Sequence, residues 1–135
     1  MSGYMLDTNA VSDLMYDPLG PVGQRMAMVA TGDVCLSLIV VAELRFGVAK
    51  SGSLRIAAQL ETVLSGLSIK AWEAPADYIY GDIRADLQRR GQLIGANDLL
   101  IAAHALALDC ILVTDNEREF SRVSGLRVEN WLRPG

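Results

Sequence analysis

The stretch Gly95-Ala96-Asn97-Asp98-Leu99-Leu100-Ile101-Ala102-Ala103-His104-Ala105-Leu106-Ala107-Leu108-Asp109-Cys110-Ile111-Leu112-Val113-Thr114-Asp115 decides the fold. Its first part, residues 96–108, is apolar almost all round, the pattern of a helix buried among its neighbours. Its last part, 110–113, is a short apolar run ended by Thr114-Asp115, the pattern of a strand covered on both faces. A buried helix leading into a buried strand belongs to a parallel sheet with helices on either side.

The same alternation fills the rest of the chain. Residues 4–6 read as a first strand. A helix over 9–16 ends at Asp17-Pro18, because a residue before proline leaves the helical region. A second helix is predicted over 21–30, stopped by Thr31-Gly32, and a second strand over 33–36. Ser37 suits the cap of a helix over 38–50. Ser51-Gly52-Ser53 breaks it, and a helix over 54–64, a strand over 67–72 and a helix over 75–90 follow. Proline at 75 fits a first turn. A loop over 91–95, a helical turn over 117–120 and a strand over 127–130 complete the pattern. The predicted class is α/β, a three-layer α/β/α domain with a mostly parallel sheet of about five short strands. No repeat, low-complexity tract or linker divides the chain, so 1–135 reads as a single domain.

Of the 135 residues, 51% are hydrophobic and 21% charged, with a net charge of −4. That composition is globular and excludes a disordered chain. The acidic balance argues against a protein that merely coats nucleic acid. It is compatible with an enzyme whose carboxylates hold cations against such a substrate. Cys35 and Cys110 lie in separate apolar runs and read as reduced core residues, with no CxxC spacing for zinc. No stretch has the pattern of a signal peptide or a membrane span, so a cytoplasmic location is expected. Phosphate loops of the GxxxxGK[ST] or GxGxxG kind are missing. The single histidine, His104, is six residues beyond Asp98 and reads as a core or interface imidazole.

The acidic residues stand where a parallel sheet builds its ligand site, beyond the carboxyl ends of the strands. Asp7 directly follows the first strand, and Asp115 follows the strand over 110–113. Glu43 lies in Leu38-Ile39-Val40-Val41-Ala42-Glu43-Leu44, and Asp98 opens an equally apolar helix. Both turns are expected to be buried. A buried carboxylate with no partner costs several kcal/mol or gives up its charge. A shared divalent cation resolves that conflict, since magnesium and manganese prefer oxygen ligands. Each residue also has a plainer reading. Asp7 fits a helix cap, Asp98 a first helical turn favoured by the dipole, and Asp115 a turn former. Glu43 fits none of these. Thr8, Asn9, Ser37, Asn97 and Thr114 are placed to orient the carboxylates, or to act as caps. Glu119 is a reserve acidic candidate. Arg84 and Arg118, with Arg89, Arg90 and Arg122, are candidates for gripping an anionic substrate, or are solvated helix residues. Trp72 and Trp131 suit stacking on bases or packing in the core. Met15, Tyr16, Met26, Met28 and Phe46 suit either a protein partner or the core.

Two other acidic-pocket architectures fail on particular residues. A phosphotransfer receiver needs a lysine after a late strand, where neither Lys50 nor Lys70 stands. A haloacid-dehalogenase-like phosphatase needs a second aspartate where Asn9 stands.

Four segments, in order, carry a family resemblance: Met5-Leu6-Asp7-Thr8-Asn9; Val41-Ala42-Glu43-Leu44-Arg45-Phe46-Gly47; Ile94 to Ala105 with Asn97-Asp98 inside it; and Val113-Thr114-Asp115-Asn116 with Glu119-Phe120 behind it. Together they resemble the PIN-domain ribonucleases, and among them the VapC-type toxins of bacterial toxin–antitoxin pairs. The resemblance implies an endoribonuclease that uses magnesium, with manganese as a substitute, and leaves 5′-phosphate and 3′-hydroxyl ends. It implies a homodimer and a cognate VapB-type antitoxin that blocks the site. Asp7, Glu43, Asp98 and Asp115 match the family's acidic positions as catalytic residues and metal ligands. Some relatives have an amide at the last of these, which keeps Glu119 in play. The segment from Glu119 to Trp131 is similar to the enterobacterial toxins that cut initiator tRNA in its anticodon loop, so tRNA is the expected substrate. The rival reading is a PIN-like module that binds RNA or a partner without catalysis.

Overall fold

A computed structural model describes residues 3–133. The single-domain expectation reaches residues 1, 2, 134 and 135, which lie outside the described residues. In chain order the elements are β1 (Tyr4–Leu6), α1 (Thr8–Tyr16), α2 (Pro21–Met26), a 3₁₀ turn (Thr31–Asp33), β2 (Val34–Ser37), α3 (Leu38–Ser51), α4 (Leu54–Ser65), β3 (Ser68–Lys70), α5 (Ala76–Arg89), α6 (Ala96–Ala107), β4 (Ile111–Val113), α7 (Glu117–Phe120) and β5 (Val128–Glu129). The strands form one sheet in the order β3-β2-β1-β4-β5, and every adjacent pair is parallel.

The sheet order follows from burial. The central strand β1 is flanked on both edges and its Met5 and Leu6 are fully buried. All four residues of β2 are buried as well. Such short strands are stable only when helices cover both faces. From β1 the chain moves outward to β2 and β3, then returns to β4 on the other side of β1. The reversal leaves a crevice between the carboxyl ends of β1 and β4, where open α/β sheets take their ligands.

Most helices begin and end where local chemistry directs. Asp7 caps α1, its carboxylate accepting from the Thr8 N–H at 2.8 Å. Ser37 caps α3, accepting from the Ile39 N–H at 3.1 Å, and Gly52 ends it with φ of 66°, a conformation glycine adopts without penalty. Ser53 caps α4. Several elements are shorter than the sequence predicts, the last strand being Val128–Glu129 alone, and two of the differences have a visible cause. The second helix stops at Met26, because the chain tightens through Met28 N–H to Arg25 and Val29 N–H to Met26 bonds, bringing Val29 back against the core. The third strand stops at Lys70, because Trp72 leaves the sheet to donate its indole N–H to the Leu100 carbonyl of α6 at 2.9 Å.

The apolar helix α6 is buried from Ile101 to Ala105 as its pattern requires. The equally apolar α3 is not. It turns Val40, Val41 and Leu44 to the core and leaves Leu38 at 48% and Phe46 at 69% exposure. Glu43 therefore sits half-buried at the boundary of that open face, not deep in the core as expected.

Candidate active site

Asp7 is the anchor of the site. It is 4% exposed at the end of β1. One carboxylate oxygen takes the Thr8 N–H; the other takes the Thr114 hydroxyl at 2.8 Å and the Asn9 amide at 3.2 Å. Thr114, fully buried after β4, thus ties the two strand ends together across the crevice. Asn9 reinforces the tie, donating also to Thr114 Oγ1 and accepting from the Asp115 N–H. Burial pushes the Asp7 carboxyl up from its ordinary range, and the charge on Glu43 adds to this; the Thr114, Thr8 and Asn9 donors oppose it.

Glu43 reaches the same place from α3. The Thr8 hydroxyl donates to its Oε1 at 2.5 Å and the Asn97 amide to its Oε2 at 3.1 Å. Thr8 and Asn97 therefore fix a carboxylate from the first turns of α1 and α6. Asp98 follows on α6. Burial raises its carboxyl to about 7, helped by the charges on Asp7, Glu119 and Glu43 and by a hydrogen bond to Glu119. Glu119 completes the group from α7, where its Oε1 accepts the Gly95 N–H and its Oε2 the Asn116 amide, both at 2.8 Å. Those two donors hold its carboxyl below the usual range, with the proton on Asp98 contributing less. A β-carbon on Gly95 would lie 3.4 Å from Asp98 Oδ2 and 3.7 Å from Glu119 Oε1, so the two carboxylates stand side by side.

The structure thus brings Asp7, Glu43 and Glu119 each into electrostatic reach of Asp98, and Glu43 into reach of Asp7. Asp115 stands apart: its side chain is exposed and it is not among the charges acting on Asp98. Its backbone N–H donates to Asn9 Oδ1, while the fully buried Phe120 holds α7 against the core beside Glu119. Of the two candidates for a fourth acidic group, Glu119 is the one whose charge acts on Asp98. Asn116, which orients Glu119 from three positions upstream, escaped the sequence reading; the i, i+3 spacing of an amide and a carboxylate at a helix start was the available signal.

The remaining candidates separate clearly. Ser37 orients none of the carboxylates. It caps α3 and meets His104 Nδ1 at 2.8 Å. The His104 ring also bonds the Ala71 backbone. His104 is a buried, satisfied imidazole whose pKa is lowered chiefly by burial. Arg84 lies on α5 and donates to Tyr80 Oη. Arg118 is exposed beside Glu119, and its guanidinium has no bonding partner among the described residues. Arg90 binds Asp86 and the Arg122 carbonyl, and Arg122 binds the Leu93 carbonyl. Trp72 is tied to α6, and the fully buried Trp131 packs on Tyr4 with centroids 5.0 Å apart, so both indoles serve packing. Cys35 and Cys110 are buried free thiols in contact with one another.

The donor set is made of hard oxygens with neutral groups holding them in place. Asp98, its carboxyl raised to about 7, keeps its proton towards neutral pH beside Glu119, and no lysine or arginine forms an ion pair with any of the four carboxylates among the described residues. A proton in that position is what a divalent cation would displace. Among the described residues no three acidic, histidine or cysteine side chains close round one point. The fit is therefore to an ion that keeps part of its water shell and takes one or two carboxylates, as magnesium does.

Comparison with known proteins agrees with this geometry. The PIN domain family model matches residues 4–126. Ribonuclease VapC2 of Haemophilus influenzae is 43% identical over 98% of this chain and 100% of its own length. The tRNA(fMet)-specific endonuclease VapC of Shigella flexneri is 37% identical over 97% of this chain and 99% of its own. Among solved structures, VapBC2 from Rickettsia felis, bound to a DNA fragment from their promoter, superposes with a TM-score of 0.88 at 37% identity, covering 95% of this chain and 98% of that one.

Proposed function

The chain belongs to the PIN-domain family, and on that premise we propose that it is the toxin of a bacterial toxin–antitoxin pair, an endoribonuclease that hydrolyses RNA phosphodiester bonds with a divalent metal. The observation that carries the reading is the group Asp7, Glu43, Asp98 and Glu119 at the β1/β4 crevice, with no cationic side chain paired to it among the described residues. Magnesium is the proposed ion, with manganese as substitute. When bound, the ion neutralises charge on the phosphate and lowers the pKa of water, so hydrolysis leaves 5′-phosphate and 3′-hydroxyl ends.

The protein's part is to prepare that site. Asp7 and Asp98 offer oxygens at the crevice, Glu43 is aimed by Thr8 and Asn97, and Glu119 by Gly95 and Asn116. Carboxylates held by neutral donors do not reorganise when the cation arrives, which is how preorganised sites gain rate. Arg118, exposed beside Glu119, is the cation best placed to meet a phosphate. The substrate we favour is initiator tRNA, supported by 37% identity to a relative named for it. A cytoplasmic setting follows from such a substrate, and no helix among the described residues is long and apolar enough to cross a membrane.

The partner is a VapB-type antitoxin. A groove of about 410 Å³ between α1, α2 and α4, walled by Leu14, Met26, Val63 and Leu67, suits an apolar segment of it. Gln59 Oε1 is buried there without a partner among the described residues and calls for a donor from outside. We further propose that the chain acts as one domain and as a homodimer, with the exposed Leu38 and Phe46 of α3 as its apolar contact.

The test is to map RNA ends after expressing the protein and its Asp98→Asn variant in parallel. New 5′-phosphate ends that appear only with the unaltered protein are expected. Identical end maps, or 2′,3′-cyclic phosphate products, would overturn the reading in favour of a binding module or a different chemistry. Val63→Glu should cut RNA normally yet escape the antitoxin.

A further inference from the structure

Glu43 forms one end of a second groove, of about 200 Å³, that runs between α1 and α3 away from the crevice. Thr8 and Glu43, joined by their 2.5 Å hydrogen bond, line its near end, so the groove opens directly off the carboxylates. Ser12 and Ser51 stand along its walls and Tyr16, 60% exposed, stands at the far end of α1. Thr8 and Tyr16 are eight helical residues apart, about 12 Å.

The lining says what the groove is for. Apart from Glu43 it contains no charged side chain, which rules against a phosphate as the occupant. A hydroxyl on Ser12 with no bonding partner among the described residues, aliphatic walls and a terminal aromatic ring match a ribose and base. Gly47 points the same way. It lies inside α3 at ordinary helical geometry, where glycine costs about 1 kcal/mol relative to alanine. Yet nothing lies within 4 Å of where its β-carbon would be. No atom among the described residues requires a glycine there, whereas a group seated closely in the groove would.

We propose that the α1–α3 groove is the subsite for the nucleotide next to the scissile phosphate, with its base stacked on Tyr16 and its ribose passing over Gly47. The proposal rests on the ribonuclease reading above and adds to it the residues that select which base flanks the cut. Continuity with the carboxylates favours RNA over a protein segment as the occupant.

The experiment uses single-stranded oligoribonucleotides of anticodon-loop sequence with 5-iodouridine at each position around the cut in turn. Irradiation with the full-length protein should crosslink Tyr16 from one position adjacent to the cut, located by mass spectrometry. In cleavage assays Tyr16→Ala should raise KM about tenfold, the usual scale of one lost stacking contact, with Tyr16→Phe restoring it. Removing the base at the crosslinking position should slow the unaltered protein equally and Tyr16→Ala no further. Gly47→Leu should weaken KM with thermal stability retained. Crosslinks that avoid Tyr16, or a Tyr16→Ala loss that adds fully to base removal, would overturn the subsite while leaving the ribonuclease intact. Absence of any cleavage would defeat the ribonuclease reading, and a Tyr16 crosslink confined to one position of the oligonucleotide, or its absence, would still decide whether the groove takes a base. Should both variants cut normally but resist the antitoxin, the groove belongs to the protein partner and the proposal fails.

Discussion

Asp86 and Asp98 lie on neighbouring packed helices, yet their carboxyls live under opposite conditions. Asp86, near the end of α5, faces Arg90 one turn on at 2.8 Å, and that hydrogen bond holds its pKa below the usual range. Asp98, at the start of α6, is half-buried among Asp7, Glu43 and Glu119, and its carboxyl rises to about 7. The contrast extends over the molecule. Glu61, Asp109, Glu117 and Glu129 each meet an arginine, Arg45, Arg127, Arg133 and Arg25 in turn, while the carboxylates of the β1/β4 crevice are held by amides, hydroxyls and backbone N–H groups, the charge on Arg122 adding a smaller pull on Glu119 without an ion pair among the described residues. The chain has arginines to spend and places them elsewhere. Acidic groups satisfied from within are surface features; acidic groups left to repel one another await a cation from solution.

The largest effect should come from removing the crevice's least satisfied member. Asp98→Asn is expected to lower kcat/KM on a tRNA anticodon-loop oligonucleotide by more than about a hundredfold, beyond what loss of an orienting neighbour costs a metal site. A variant within tenfold of the parent would break the contrast. Next, Glu119→Gln should lose about ten- to a hundredfold and weaken manganese binding by titration calorimetry, and Asp115→Ala should lose far less of either. The reverse order would return Asp115 to the fourth position.

A smaller, pH-dependent effect should appear in stability without metal. Asp98 has its folded pKa raised from near 3.8 to about 7. Below pH 4 it is protonated in both states. As pH rises from 4 through 7 the unfolded chain releases a proton that the fold retains, and the stabilisation is progressively lost. Asp98→Asn removes this loss. Its melting temperature should therefore match the parent near pH 4 and exceed it by roughly 5 °C at pH 8, and saturating magnesium should reverse the gap. His104 and Glu119, whose pKa values are lowered, act in the opposite sense, which is why the difference between variant and parent is the quantity to follow. The smallest effect belongs to the other pole: Asp86→Ala should leave cleavage unchanged and shift melting by no more than about 2 °C, because an exposed pair is screened by solvent.

How far the sequence alone reached depends on what kind of information each feature needs. Alternating apolar runs and helical stretches determined an α/β domain with a parallel sheet, since local hydrophobic patterning and cap chemistry are properties of neighbouring residues. Asp7 and Asp98 were legible for the same reason: a carboxylate at a strand's end or heading an apolar helix has a local signature. Glu43 was legible as an anomaly, although its burial was overread, because a helix apolar all round does not reveal which face the rest of the chain will cover. Which of Asp115 and Glu119 stands beside Asp98 was beyond sequence, as it depends on Phe120 docking into the core and Asn9 reaching across from the end of β1 to hold the Asp115 backbone. Ser37 looked like a hydroxyl behind the carboxylates, and its partner His104 lies 67 residues away. The sequence by itself determined the layers of this protein and most of its acidic inventory. Only the tertiary structure decided which carboxylates share one field, because that field is made by groups from α1, α3, α6 and α7 whose meeting no local pattern encodes.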